Sequence, residues 1–418
     1  SVATAGMPGM AGAPGRRVPT LEVIKIVDGD GEINLYDLTV GPDGNVTAVG
    51  DYNYPVEFGN EWVLGDAEGG WDAWSATVDP LGNTLQAGSL GGVGDDALRA
   101  VVRDVNNTAT AAGSPSTSLV RFGEPEWPLK TFVNSVSADV AVAPDGDIVT
   151  VGYIHDDTDF GGGTLSPRLG SVNGFVASFD AFGNWRWDYA LGSDESFADR
   201  VVADAAGNMI IAGAFRGALQ LGIPEITAVG SADIFVIKLN PDGILTYAST
   251  FSSEDGTLAP RGLALAPDDG GFVLVGSLMG TVDFGNGPIT TVLNTGPSGF
   301  VARFDADGVA RWSTTIESAQ GADPSAVAVS SKGDVLVAGS LYENAFVFGF
   351  NGSDGAILWE HIVGGLGWQF INSIAIDTSF DIDTAYIGGR FDDELEVAGN
   401  TYVPRSISGN LFIAKLTP

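Results

Sequence analysis

The chain has 418 residues, 59 of them glycine, no cysteine and a formal charge of −34. The missing cysteine excludes disulfides, thiolate metal sites and thiol nucleophiles, and is compatible with any redox compartment. The charge repels nucleic acid and anionic lipid, fits a solvated surface in a cation-rich exterior, and accompanies no apolar run long enough to span a bilayer as a helix.

In chain order, residues 1–19, "SVATAGMPGMAGAPGRRVP", form a low-complexity tail rich in Gly, Ala, Pro and Met. Such a composition cannot bury enough apolar surface to build a core. The expectation is a tether held by a partner subunit, with Met7 and Met10 in shallow pockets and Arg16 and Arg17 where the tail joins the acidic body. The chain starts at Ser1 rather than Met, so an export segment is expected to have been removed. Residues 20–418 form the folded unit. It opens on "TLEVIKIV", Thr20 to Val27, a strand with no partner beside it in sequence. "DGDGEINLYD" follows, and Asp28, Asp30, Glu32 and Asp37 fall at calcium-loop spacing around Gly31. Ile26 occupies the first ligand position and the last is Asp rather than a longer Glu, so a turn between strands accounts better for the stretch.

From there the chain repeats itself. Gly50, Gly113, Gly152, Gly213, Gly276, Gly339 and Gly389 each close a short strand such as "NVTAVG" or "NMIIAG". In five units a polar residue flanked by apolar ones follows, as in "VEF", "LQL", "VDF" and "LEV", the alternation of a half-buried strand. A core aromatic comes next: Trp74, Phe175, Phe235, Phe300 or Phe412. Asp79, Asp180, Asn240 and Asp305 then open turns that reach Gly82, Gly183, Gly243 and Gly308, because Asp and Asn bond the local backbone and glycine tolerates positive φ. A further strand carries Trp187, Tyr247 or Trp312, with Gln86 at that place in the first unit. The second and sixth units are abbreviated. Seven four-stranded units without a helical pattern predict a seven-bladed β-propeller, all-β. The last unit, "NLFIAKLTP", lacks a fourth strand, and the orphan N-terminal strand supplies it, closing the ring.

The constants in "SADIFVIKLNPDG" (Ser231 to Gly243) and "GNLFIAKLT" (Gly409 to Thr417) resemble the SBBP repeat, a bacterial seven-bladed propeller motif. The resemblance spans roughly Leu21 to Leu416 and departs from the motif in units two and six. It implies the propeller and an exported, envelope or surface location, and it implies no shared catalytic residues.

Candidate chemistry is sparse. The chain has two histidines, His155 in the loop "YIHDDTDFGGG" and His361 at the end of an outer strand, where exposure is expected. Catalytic triads need a histidine placed by a carboxylate, and zinc sites need several His or Cys ligands. Asp156, Asp157 and Asp159 of unit three align with Asp393, Glu394 and Glu396 of unit seven, and calcium is the ion such loops would take. Trp62, Trp71 and Trp368 lie in loop segments, and if exposed they would stack on a sugar or a partner protein. The resulting expectation is a non-enzymatic propeller, periplasmic, cell-surface or extracellular, binding other protein subunits. The alternative is a secreted glycan-binding or glycan-degrading protein.

Overall fold

The computed structural model describes residues 18–29, 31–59, 62–114, 119–123, 129–168, 170–220, 226–253, 256–291, 296–379, 382–404 and 409–418. Among these every regular element is a β-strand, and the strands form seven antiparallel blades in a ring. Blade one runs outward through Ile33–Val40, Val46–Tyr52, Asp72–Val78 and Thr84–Leu90. Blades three to six repeat that meander of four strands. Blade six, abbreviated in sequence, is therefore complete: it saves its residues by joining Val335–Leu341 to Asn344–Phe350 through a tight turn instead of a long segment. Blade two has three strands among the described residues, Ala97–Arg103, Ala109–Ser114 and Leu119–Arg121.

The ring closes as the orphan strand requires. Thr20–Gly29 pairs antiparallel with Asn410–Thr417, from Thr20 opposite Thr417 to Val27 opposite Leu411, and so becomes the outer strand of blade seven. Its last residues also pair with the loop hairpin of blade one, Asp28 opposite Glu57 and Gly29 opposite Val56. One continuous strand thus ties the final blade to the first.

The long segments between second and third strands fold back as small hairpins over the blade cores. Val56, Phe58, Phe160, Leu219, Val282, Phe284, Leu395 and Val397 are all buried there, while the intervening polar residues face water. Phe58 meets Trp74 at 5.2 Å, Phe160 meets Phe175 at 4.6 Å and Phe284 meets Phe300 at 5.0 Å, so each hairpin seals the core aromatic beneath it. In an antiparallel meander these segments and the blade-to-blade connections share one face of the ring, and the short Asp/Asn-Gly turns share the other.

The repeat glycines do not close their strands; each sits inside the second strand. The innermost strand of every blade carries an extra residue at the same level, and Gly50, Gly113, Gly152, Gly213, Gly276, Gly339 and Gly389 pair with the residue just before that bulge. The bulge turns a backbone carbonyl toward the neighbouring strand, so a Cβ at Gly50 would overlap the carbonyl oxygen of Asn34. Glycine is the residue that permits the bulge, and the bulge aims a side chain at the ring axis.

The outer aromatics are explained by the next blade. Trp187 Nε1 donates to Pro241 O at 3.0 Å, Tyr247 Oη to Gly308 O at 3.2 Å and Trp312 Nε1 to Gly352 O at 2.7 Å. Each ring lies where a Cβ on the following blade's turn glycine (Gly243, Gly308 or Gly355) would clash, and those glycines hold φ of 77°, 80° and 72°. Gln86 breaks this pattern: at its place a cavity is lined by Leu85 and Gln86 together with Phe122 and Gly123, where blade two turns after its third strand.

Candidate functional site

The seven inner bulges converge on an axial cavity of about 320 Å³, lined by residues from every blade. The extra residues are Tyr36, Arg99, Ala138, Asp199, Arg261, Ser325 and Asn372. Three of the seven bond the next blade. Asn372 Nδ2 donates to Leu35 O at 2.6 Å, Ser325 Oγ donates to Ile371 O, and Arg261 pairs with Asp323 at 3.5 Å. Arg99 lies 5.5 Å from the centre of the Tyr36 ring. Ala138 has no polar atom with which to reach.

One residue further along, the positions hold Asp37, Ala100, Asp139, Arg200, Gly262, Ala326 and Ser373. Asp37 Oδ1 accepts from Leu38 N–H and Oδ2 from Val101 N–H, both at 2.8 Å, so one carboxylate joins blades one and two. Ser373 Oγ donates to Asp37 Oδ1 at 2.6 Å from blade seven. Asp139 repeats the arrangement with Val140 and Val201, both at 2.8 Å, joining blades three and four. An innermost strand has only one ladder partner, so half of its N–H groups point to the axis and need such acceptors.

Burial pushes the Asp139 carboxyl up to about 7 against the opposing pull of Arg200 and the Val201 N–H. Burial likewise raises Asp199 to about 6, with Arg200 and Arg261 opposing it. Asp37 is also raised by burial, less the hydrogen bonds from Ser373, Val101 and Leu38. Arg200 therefore sits among three carboxyls that a low-dielectric channel discourages from ionising together. None of these axial groups stands out in the sequence beside dozens of turn acids. A signal existed: Asp37, Ala100, Asp139, Arg200 and Ala326 each stand thirteen residues before a repeat glycine.

Toward the face that carries the hairpins, the channel mouth is polar beside blade one and aromatic beside blades six and seven. Asp51 accepts from Asn34 Nδ2 and Tyr36 Oη, both at 2.8 Å, and Arg390 Nη1 donates to Asn34 Oδ1 at 2.8 Å. Phe370 occupies in blade seven the register that Asn34 occupies in blade one. Trp368 stacks on Phe370 at 5.9 Å with planes 4° apart, and Tyr342 meets Trp368 at 5.1 Å. Trp368 and Tyr342 remain 40% and 42% exposed and Leu366 61% exposed, so this ladder is a solvent-facing apolar surface.

Of the other tryptophans singled out in sequence, Trp62 is half-buried and packs against the core around Phe58 and Trp74. Trp71 is half-buried, with its backbone held by Asp95 and Asp96. Met7, Met10, Arg16, Arg17 and Asp30 lie outside the described residues. Asp37 belongs to an inner strand and bonds N–H groups, which separates it from Asp28 in the closing strand and Glu32 in the loop that follows it. His155 is exposed, and its backbone N–H bonds Asn134 O. His361, expected to be exposed, is half-buried: Nε2 meets Pro19 O at 2.6 Å because the closing strand enters beside it.

The aligned acids lie on two separate hairpins. Asp156, Asp157 and Asp159 flank Thr158–Asp159 in blade three, and Asp393, Glu394 and Glu396 flank Leu395–Val397 in blade seven. Asp159 Oδ1 accepts from Gly161 and Gly163 N–H at 2.7 and 3.1 Å, which shapes the turn. Among the described residues no three His, Asp or Glu side chains converge in a way that could hold a metal ion. Among the described residues no helix is long and apolar enough to cross a membrane.

No family model matches the chain, and no curated protein matches it. Solved structures do. A catalytically inactive virginiamycin B lyase from Staphylococcus aureus, with quinupristin, is similar at 11% identity and a TM-score of 0.52, covering 96% of this chain and 99% of its own. The Neurospora crassa Pan2 WD40 domain is similar at 8% identity and a TM-score of 0.50, covering 96% of each chain. At such identities the likeness is one of fold, and the chain is a seven-bladed propeller on that ground as well as on its own strand pairing.

Proposed function

We propose that the chain is a non-enzymatic, exported propeller of the bacterial SBBP-repeat type that serves as a protein-binding or structural subunit of an envelope or extracellular assembly. The observation that carries this reading is the Tyr342–Trp368–Phe370 ladder with Leu366, an exposed aromatic and aliphatic surface at the channel mouth. Large aromatic rings held rigid against one another lose little freedom on binding and are the usual anchors of protein interfaces. The axial carboxylates support it in a second way, since they are engaged in bonding inner strands together.

The test is Trp368→Ala with Leu366→Ala, assayed by cross-linking in the native exterior fraction. The folded double variant should lose its protein neighbour while its melting curve stays close to that of the parent. Retention of the same cross-linked neighbour overturns the reading. Loss of binding to an immobilised oligosaccharide, with protein cross-links intact, would instead establish the glycan-binding alternative.

A further inference from the structure

The aromatic ladder at the channel mouth is rigidly held, and its outer ring is placed at a cost. The two-residue turn between Val335–Leu341 and Asn344–Phe350 takes positive φ at its first central residue, where glycine is favoured. A chain with 59 glycines puts Tyr342 there instead, at φ 58°, with the ring 42% exposed and 5.1 Å from that of Trp368. A ring that stays in water does not answer a need of the core. The loop carrying Leu366 and Trp368 is pinned from beneath. Buried Gln369 donates through Nε2 to Leu366 O, Gly367 O and Glu394 O. The Asp392 and Glu394 N–H groups bond Trp368 O and Leu366 O.

Carboxylates without partners border the same rings. Glu343 follows Tyr342 in the turn. Asp393, at φ 45°, holds Oδ2 3.1 Å from where a Cβ on Gly367 would lie, beside Trp368. Glu394 is tied to Leu366 by its backbone alone. Among the described residues none of these three carboxylates has a hydrogen bond or an ion pair. Acids of other hairpins and turns differ: Asp79, Asp159, Asp180, Asp283 and Asp305 each accept N–H groups of their own turn. Arg390 is already shared by Asn34, Glu32 and Asp392.

We infer that the ladder receives an arginine-bearing segment of a partner protein, its guanidinium laid against Trp368 and Tyr342 and paired with Asp393 and Glu343, with an aliphatic neighbour on Leu366. The inference rests on the protein-binding reading and names the chemistry of the partner. A guanidinium is planar and weakly hydrated, so it stacks on an aromatic ring and forks to a carboxylate at once. A lysine ammonium offers the charge without the plane. Rings and opposite charges taken out of water together make an arginine an interface anchor.

The experiment is a titration of a fluorescein-labelled Gly-Arg-Leu-Arg-Gly amide with the full chain, read by fluorescence anisotropy. Saturable binding is expected, and none of the peptide with glutamine in place of arginine. Glu343→Gln with Asp393→Asn and Glu394→Gln should weaken binding about tenfold with the melting curve unchanged. Asp242→Asn with Asp307→Asn and Glu360→Gln removes the same charge from exposed positions elsewhere, and should stay within about twofold of the parent. Absence of saturable binding by the parent overturns the inference, as does equal affinity for the two peptides. Equal losses in the two triple variants also overturn it, by showing attraction to net charge alone. Its failure is separable from that of the reading beneath it. A protein neighbour that is lost from Trp368→Ala with Leu366→Ala, but still cross-links to the first triple variant, leaves protein binding in place and removes arginine recognition.

Discussion

Blades one to four and blades four to six solve the same problem at opposite radii. On the first arc, Asp37 and Asp139 bond neighbouring inner strands at the axis, while Gln86 and the three described strands of blade two leave the rim between blades one and two lightly joined. On the second arc, Arg200 and Gly262 provide no axial acceptor, and Tyr247 and Trp312 clamp the rim over the next blade's turn. The junction of blades three and four has both devices, Asp139 within and Trp187 without. A propeller blade needs one firm contact with its neighbour, and where the rim supplies it the axis is free for other chemistry.

The largest effect should come from the seam that belongs to neither arc. Removing residues 1–27 takes away the strand paired with Asn410–Thr417 and exposes a long edge in blade seven. The truncated chain should lose its cooperative thermal transition and aggregate; an unchanged melting curve would show that the ring does not depend on closure. Next in size is the rim. Trp312 is 6% exposed, and Trp312→Ala should cost roughly 3–5 kcal/mol in denaturant unfolding. Gln86→Ala, at the matching place on the other arc, should stay within about 0.5 kcal/mol. Equal losses at the two sites would erase the contrast.

The axial arc is probed by pH. The folded-state pKa of Asp139, about 7, lies above the ordinary carboxyl value, so the folded chain holds that proton more tightly than the unfolded one. Its stabilising contribution is therefore complete below the unfolded pKa and is lost as pH rises through about 7. Asp199, raised to about 6, acts in the same direction. The melting temperature should fall between pH 5 and pH 8, and Asp139→Asn should flatten that fall; an unaltered slope in the variant would place the titration elsewhere. The smallest effect concerns the two acid-bearing hairpins. Because no three acids converge on either among the described residues, millimolar calcium should leave the melting temperature unchanged. A calcium-dependent rise that Asp157→Asn or Asp393→Asn removes would show that the hairpins hold the ion after all.

Blade number, closure by Thr20 to Val27, hairpin alternation and the core aromatics were legible in sequence because they rest on local patterns of two-residue period, turn chemistry and repetition. The exception at Gln86 was visible too, but its reason was not, since it depends on which turn the neighbouring blade presents. The axial residues were hidden for a related cause. Asp37 and Asp139 look like any other acid along the chain, and only the bulge beside Gly50 and Gly152 turns them to the axis. Trp62, Trp71 and Trp368 were equivalent as loop tryptophans, and packing alone separated the exposed Trp368 from the two half-buried rings.

By itself, then, the order of residues determined the strands, their turns and the number of blades, because those follow from contacts near in sequence or repeated along it. Tertiary structure decided which side chains meet at the axis, which N–H groups receive a carboxylate and which aromatic rings stay in water. Those outcomes join residues about sixty or more positions apart, as Asp37 joins Val101 and Ser373 joins Asp37, and they are fixed only when seven sheets share one axis.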